Sequence, residues 1–439
     1  MGNEKDKSKK TKTSKKKVEK VEKVEDIYIK MTAHEHILKL PDTYIGSVEP
    51  DNGVMWVFNS KTEKIEKKEI EYIPGLYKIY DEILVNARDH CVRDKSCKNI
   101  MIEIDQETGI ISVWNDGQGV PVEIHKDENM YVPEMIFGYL LTSSNYKEKG
   151  KIVGGKNGYG AKLANIYSLD FWVETVCAKN KKFYKQHFYD NMYKKDEPEI
   201  KGSTKAPYTK ITFRPDFARF GCEGLTDDMM ALFKKRVYDM AACTRSNIKV
   251  FLNNTQLEIK TFEDYIKMFY EDASNDEDEP EPIYSVPIYE GSRWNVGVVY
   301  DPTAGHNHIS YVNGICTFQG GNHVNHVVTQ VVDAVAKHIK TKYPKVRVKN
   351  SHIKENLTFF IDSVIEDPAF NSQTKEFLTS KTSNFGSRYD ASEEFIKKLT
   401  KTDLISTVVD FAKLKELQEM KRTDGKKRGS LKGIDKLDD

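Results

Sequence analysis

Glu82 and Asn86 stand four residues apart in this 439-residue chain. On a helix that spacing puts both on one face, one turn from each other. The carboxylate can take a proton from a water. The amide oxygen can hold a hard cation such as Mg²⁺, which prefers few protein oxygens beside phosphate oxygens and waters. Alone, the pair also reads as two ordinary exposed polar residues of an amphipathic helix. A second group, Asn115-Asp116-Gly117-Gln118-Gly119, ends a β-like run. Asp116 can accept a hydrogen bond from an exocyclic amine such as adenine N6, and Gly117 and Gly119 let the backbone approach a flat ligand. The bland alternative is a plain turn.

A third group is glycine-rich. Gly154, Gly155, Gly158 and Gly160 precede Ala161 and Lys162, which start like a helix. Free N–H groups there face a phosphate well, and Lys156 and Lys162 add charge. No Gly-Lys-Ser/Thr closes the loop, so it is not a Walker A motif, and no βαβ unit with a following acid fits a dinucleotide fingerprint. Ser143, Ser144 and Asn145 offer hydroxyls and an amide to a ribose or phosphate, or form a simple loop. Far along the chain, Lys375 follows Gln373 and Thr374. At a loop tip it can reach a terminal phosphate held elsewhere, although an exposed lysine is the norm.

These residues need elements to position them. Leu76, Ile79, Ile83, Ala87 and Cys91 recur at helical spacing, which predicts an amphipathic helix over 75–94 carrying Glu82 and Asn86. A shorter helix is expected from Thr32 to before Pro41. Strands are expected at 100–105 and 109–115, joined by a turn at 106–109, and again at 169–177, 183–189 and 208–214. A helix follows at 226–245. After an acidic loop at 272–283 come strands at 284–289, 294–300, 308–313 and 355–364, and helices at 324–342, 392–399 and 403–421. This is an α+β order with mostly antiparallel strands. No internal repeat is present.

Lys plus Arg is 68 and Asp plus Glu is 67, for a net charge of +1. The first 17 residues hold eight lysines against two acids, so a uniformly basic folded domain is excluded. Residues 1–26 read as a disordered basic tail, either a solubility tail or a nucleic-acid or targeting arm. Cysteines at 91, 97, 177, 222, 243 and 316 form no Cys-x-x-Cys pair, which suggests neither a zinc ribbon nor a disulfide framework. No apolar run is long enough to cross a membrane, and no secretory h-region is present. Asp276 and Asp278 form an Asp-x-Asp, either a metal-binding pair or, as their charge block favours, part of a solvated acidic loop. His306, His308, His323 and His326 match no zinc spacing. Lys340, Lys342, Lys345, Arg347, Lys349 and Lys354 form a basic stretch, either a DNA-facing surface or a solvated helix end.

Taken together, Glu-x-x-x-Asn, Asp-x-Gly-x-Gly and the glycine-rich loop resemble the Bergerat-fold (GHKL) ATPases. The segments 36–48, 141–146, 157–163, 372–375 and 432–439 narrow the resemblance to eukaryotic-type (type IIA) DNA topoisomerases II, over essentially all of 27–439. That resemblance implies a GHKL ATPase sandwich with an N-terminal strap over 27–262. It also implies a transducer domain with a ribosomal-protein-like α/β fold and a long C-terminal helix over 263–420, and a linker at 421–439. It implies ATP and Mg²⁺, a homodimer that closes on double-stranded DNA, and hydrolysis coupled to strand passage in the nucleus or, for a viral enzyme, in the viral factory or virion. The alternative is a related nucleotide-gated clamp without strand passage. No Glu-Gly-Asp-Ser motif of a TOPRIM domain occurs, so this chain is expected to hydrolyse ATP and dimerise without cleaving DNA, its cleavage core lying elsewhere in the full-length enzyme.

By the same resemblance, Glu82 is the general base and Asn86 the Mg²⁺ ligand. Asp116 reads adenine beside Asn115, with Gly117 and Gly119 shaping the pocket and Thr212 supporting it. Ser143, Ser144 and Asn145 contact ribose and phosphates. Lys156, Asn157, Gly158, Tyr159, Gly160, Ala161 and Lys162 wrap the triphosphate. Gln373 and Lys375 reach the γ-phosphate, and Tyr28 crosses to the partner protomer's nucleotide. Three departures stand out. His90 occupies a position where the family often has an amide, Lys156 stands where arginine is usual, and the acidic loop near 276–282 is longer or more charged than expected.

Overall fold

The structure, a computed structural model, describes residues 28, 30–142, 150–155, 158–270, 288–291, 293–303 and 305–424. Its long helices form where the apolar spacing requires them. Helix α1 (Ala33–Lys39) starts on a capping box in which Thr32 and Glu35 satisfy each other's backbone N–H groups. Helix α2 (Pro74–Arg93) opens with proline at its first turn, where the missing N–H costs nothing. It is buried on almost every face, and even Asp81, Glu82, Arg88 and Asp89 are inside. Between these helices runs a hairpin that the sequence did not reveal, β1 (Asp51–Asn59) with β2 (Lys64–Tyr72). Strand β2 is mostly charged, and its buried residues Ile65 and Ile70 are an odd number of positions apart. The alternation that marks a strand is therefore absent.

The main sheet contains β3 (Asn99–Ile104), β4 (Ile111–Asp116), β5 (Ser168–Val176), β6 (Lys182–Tyr189), β7 (Glu199–Gly202), β8 (Tyr208–Pro215), β9 (Lys249–Leu252) and β10 (Thr255–Gln256). Their order is β7-β6-β5-β8-β4-β3-β9-β10, with a two-residue ninth strand, Lys194–Lys195, off β6. All pairs are antiparallel except β9 with β3. Helices α2, α3 (Val132–Gly138), α4 (Gly160–Ile166) and α5 (Asp227–Ala242) share one apolar core with this sheet. Short helix α6 (Phe262–Lys267) follows.

A second sheet holds β11 (Ile288–Glu290), β12 (Trp294–Tyr300), β13 (Asn307–Val312), β14 (Ile315–Cys316) and β15 (Leu357–Ser363) in the order β11-β12-β15-β13-β14. Its core is completed by α7 (Asn322–Lys342), α8 (Asn350–Lys354), α9 (Glu393–Leu399) and α10 (Leu404–Asp424). Val324, Val327, Val328, Val331, Val332, Val335 and Ile339 give α7 one continuous apolar stripe. Helix α10 runs past its expected end at 421. A third cluster, including Phe58, Phe262, Tyr265, Phe269, Tyr311 and Phe360, joins the two halves. This is the expected α+β architecture. One expectation is corrected: Cys91 and Cys97 are paired as a disulfide, with Cα atoms 5.2 Å apart, because the end of α2 turns back beside the start of β3.

Candidate active site

A cavity of about 200 Å³ opens between α2, the main sheet, α4 and the loop before residue 376 of the second half. Helix α2 contributes Glu82, Asn86, Asp89, His90 and Arg93 to its wall. The expected helical face is thus present. It is a buried face, because α2 is sandwiched between the sheet and the second half.

Glu82 is 2% exposed. Its Oε1 accepts from Lys78 Nζ at 2.8 Å and from Lys375 Nζ at 3.1 Å. Lys78 lies one turn back on α2, while Lys375 comes from the second half. Burial pushes the Glu82 carboxyl up, but the charges and hydrogen bonds of Lys375 and Lys78 outweigh it and hold the group at about 2. Lys375 has φ +64, a left-handed backbone that turns its side chain into the cavity. Gln373 lines the same wall.

Strand alternation decides the opposite end. On β4, Val113 and Asn115 face the cavity. Asp116 points the other way, as adjacent strand residues must. Its Oδ1 accepts from the N–H groups of Lys98 and Asn99 at 2.7 and 2.9 Å, and its Oδ2 accepts from Asn99 Nδ2 at 2.7 Å. The expectation that Asp116 reads a base is therefore corrected: its carboxylate ties β4 to the start of β3. On β8, Thr209 and Ile211 line the cavity, with Thr209 directly opposite Asn115. Thr212 lies on the outer side, bonded to Ser112 Oγ at 3.0 Å. That expectation shifts to Thr209, which the alternation of Thr209, Ile211 and Phe213 could have identified. Gly117 and Gly119 form the turn leaving β4, with φ +112 and +67.

The glycine-rich segment closes the third side with Gly155, Gly158, Tyr159, Gly160, Ala161 and Lys162. Among the described residues no side chain caps the N-terminus of α4, whose first N–H groups have no partner within the helix. A Cβ at Gly160 would sit 2.1 Å from Glu82 Oε2. Lys162 Nζ donates to Thr142 O at 2.7 Å, and burial lowers its ammonium to about 8. Asp89, which the sequence reading did not single out, accepts from the N–H groups of Gly154 and Gly155 at 3.0 and 2.8 Å. Burial raises the Asp89 carboxyl despite neighbouring Arg88. His90 does line the cavity. Burial lowers its imidazole, while Asp94, 3.4 Å away, pulls the other way.

Ser143, Ser144, Asn145, Lys156 and Asn157 lie outside the described residues, as do Asp276 and Asp278. Tyr28 is 78% exposed and does not line this cavity. Among the described residues no cluster of three or more His, Cys, Asp or Glu can hold a metal. His323 bonds to Thr317 Oγ1 and His326 to Tyr389 O instead. No described helix is long and apolar enough to cross a membrane.

Comparison with known proteins identifies the fold that carries this geometry. The family "Histidine kinase-, DNA gyrase B-, and HSP90-like ATPase" matches residues 71–218, and the family "DNA gyrase B" matches 261–428. "DNA topoisomerase 2" of Acanthamoeba polyphaga mimivirus is 50% identical over 415 residues, covering 92% of this chain and 32% of that protein. The chain thus spans about a third of the length of this curated relative. The crystal structure of the ATPase region of Saccharomyces cerevisiae topoisomerase II superposes with a TM-score of 0.82 at 42% identity, covering 89% of this chain and 100% of that one. The ATPase and transducer domains of DNA topoisomerase II from Balamuthia mandrillaris give a TM-score of 0.84 at 39% identity, covering 90% and 100%. A buried Glu-x-x-x-Asn helix, an asparagine–threonine strand pair and a lysine delivered from a second half thus occur together on the fold of these enzymes, and the chain belongs to the topoisomerase II family of GHKL ATPases, as its ATPase and transducer region.

Proposed function

We propose that this chain binds and hydrolyses ATP in the cavity described, and that within a whole topoisomerase II it forms an N-gate that dimerises on ATP around double-stranded DNA. The observation that carries this reading is the 3.1 Å contact between Glu82 of α2 and Lys375 of the second half. It sets a base and a cation in one place from two parts of the chain. We divide those parts near residue 262, as an ATPase half and a transducer half.

In this reading the adenine amine donates to Asn115 Oδ1, with Thr209 beside it. The triphosphate runs toward the N-terminus of α4, where Lys162 and the backbone N–H groups balance its charge. Mg²⁺ fits here through Asn86. A Cβ at Gly155 would come within 3.5 Å of Asn86 Oδ1, so the absent side chain leaves that oxygen open to the cavity. One neutral oxygen suits an ion that takes its other ligands from phosphates and waters. When bound, the ion neutralises charge on the phosphate oxygens.

A water held by Glu82 attacks the γ-phosphorus, and its proton passes to the carboxylate. The bond from the γ-phosphorus to the bridging oxygen breaks, and the electron pair leaves with ADP. Lys375 cannot serve Glu82 Oε1 and a γ-phosphate equally. As the phosphate draws Lys375 away, the carboxylate loses a positive neighbour and becomes a better base. ATP thereby binds both halves at once, and hydrolysis releases them.

DNA as partner is supported by the exposed basic residues Lys340, Lys342, Lys345, Arg347 and Lys349 at the end of α7 and beyond. A homodimer, with Tyr28 reaching the partner's nucleotide, and a nuclear or viral site of action follow from the same reading. The roles assigned above to Ser143, Ser144, Asn145, Lys156 and Asn157 remain part of it.

Turnover measurements test the proposal. Glu82→Gln should bind ATP but lose roughly 10²–10⁴-fold in kcat, the range of a positioned general base. Gel filtration with a non-hydrolysable analogue should show a dimer. Equal turnover by wild type and Glu82→Gln would remove Glu82 from the reaction.

A further inference from the structure

We infer that Asp367 is a positioning residue for nucleotide binding. From the transducer half it holds the start of segment 150–155, whose last residue, Gly155, lines the cavity. The inference rests on reading that cavity as an ATP site, but it concerns contacts that the site residues themselves do not make. Asp367 Oδ2 accepts from Gly150 N at 2.7 Å, and Oδ1 accepts from Lys151 N at 3.2 Å. Its own N–H donates to Lys151 O at 2.8 Å. Two residues further on, Asn313 Nδ2 donates to Val153 O at 3.3 Å. From the other side, Asp89 of α2 accepts from the N–H groups of Gly154 and Gly155.

Between these anchors the segment is threaded through a narrow gap. A Cβ at Gly154 would lie 2.7 Å from Val85 Cγ1 on α2 and 3.0 Å from Ile315 Cγ1 on β14. Only glycine passes there without displacing the side chain of Val85 or Ile315. Gly155, next along, reaches the cavity. The wall beside Asn86 is therefore set from both halves, and Asp367 supplies the outermost hold. Asp367 is exposed and has φ +44, so its place is not explained by core packing. A wall held in advance spares the nucleotide the entropy of ordering it. Without that hold, binding weakens while the bonds broken and made in the reaction remain the same. This connection runs separately from Lys375, which acts on the reacting end.

Asp367→Gly removes both acceptor oxygens and suits a positive φ, while Asp367→Asn keeps one. The probe is a non-hydrolysable ATP analogue measured by calorimetry on the 439-residue chain, together with KM and kcat for ATP. Asp367→Gly should raise Kd and KM roughly tenfold, the scale of one charge-assisted hydrogen bond. Its kcat at saturating ATP should stay within about twofold, as expected when uniform binding is lost. Asp367→Asn should fall between. Thermal midpoints without nucleotide show that each variant is folded, and if Asp367→Gly does not fold, Asp367→Asn carries the comparison. Unchanged Kd and KM in the folded variants, or a loss confined to kcat, overturns the inference. Failure of the wild type to bind the analogue overturns the ATP reading instead.

Discussion

Neighbouring residues on one strand divide the work at the end of the cavity proposed for adenine. Asn115 faces the cavity and Asp116 faces away, so their substitutions should separate cleanly. Asn115→Ala should weaken ATP binding by about tenfold or more, as expected when a buried polar contact is lost. Asp116→Asn should leave KM nearly unchanged but lower stability by roughly 1–3 kcal/mol, because charge-assisted bonds to the β3 backbone are weakened. Calorimetry and thermal unfolding on the two variants check this, and a KM effect confined to Asp116→Asn would reverse the assignment. Lys162 gives a pH prediction at the same scale. Burial lowers its ammonium from 10.5 to about 8. Between those values the unfolded chain binds the extra proton, so this group makes stability rise with pH there. The empty site, however, loses a positive charge as pH climbs through about 8. Affinity for an ATP analogue should therefore fall across that range, and Lys162→Met should flatten the dependence.

At the scale of elements, the site depends on how closely α4 approaches α2. Gly160 is the first residue of α4 and touches the carboxylate of Glu82. Gly160→Ala places a methyl group 2.1 Å from Glu82 Oε2, so either the carboxylate or the helix must move. A misplaced base costs on the order of 10²-fold, and kcat of Gly160→Ala should fall by about that factor. Alanine is the better helix former, so α4 itself should not weaken. Near-wild-type kcat would show that α4 can retreat without cost. Helix α2 is the element best marked in the sequence, since its apolar residues recur at helical spacing from Leu76 to Cys91. Its burial on the remaining faces was not legible, because Asp81, Glu82, Arg88 and Asp89 look like a solvated face until their partners are known. The β1–β2 hairpin was missed for the same reason: Lys64–Tyr72 is mostly charged and buries only two isoleucines.

Across the whole molecule, buried charges hold the two halves in register. Arg236 Nε donates to Asp81 Oδ1 at 2.6 Å, and its Nη2 donates to Gly314 O, also at 2.6 Å. Lys235 pairs with Asp239 and reaches Tyr311, and Tyr265 bridges Asp239 and Tyr311. Asp81 adjoins Glu82 in sequence, so this network abuts the proposed base. Removing one partner of such a buried pair leaves the other uncompensated and costs about 3–5 kcal/mol. Asp81→Ala should lose that much in chemical denaturation. Arg236→Met with Asp81→Leu together should recover a large part of it, because an apolar pair of similar volume leaves no stranded charge.

Residue types and local spacing were enough to determine the α+β class, the positions of the long helices and the glycine-rich loop, and resemblance to known motifs gave the family. They were also enough to put Glu82, Asn86 and Lys375 in one site through their likeness to known motifs. Periodicity and glycine placement are properties of short windows, and a chain carries them in its order alone. What the tertiary structure decided depends on partners far away in sequence. Strand pairing turned Asn115 and Thr209 inward and Asp116 and Thr212 outward. Packing of the second half on α2 buried Glu82 between two lysines, one of them from position 375. The same packing placed Asp367 and Asn313 under the glycine-rich segment. A side chain's facing and its charge environment are set by whatever packs against it, and only the folded chain brings those neighbours together.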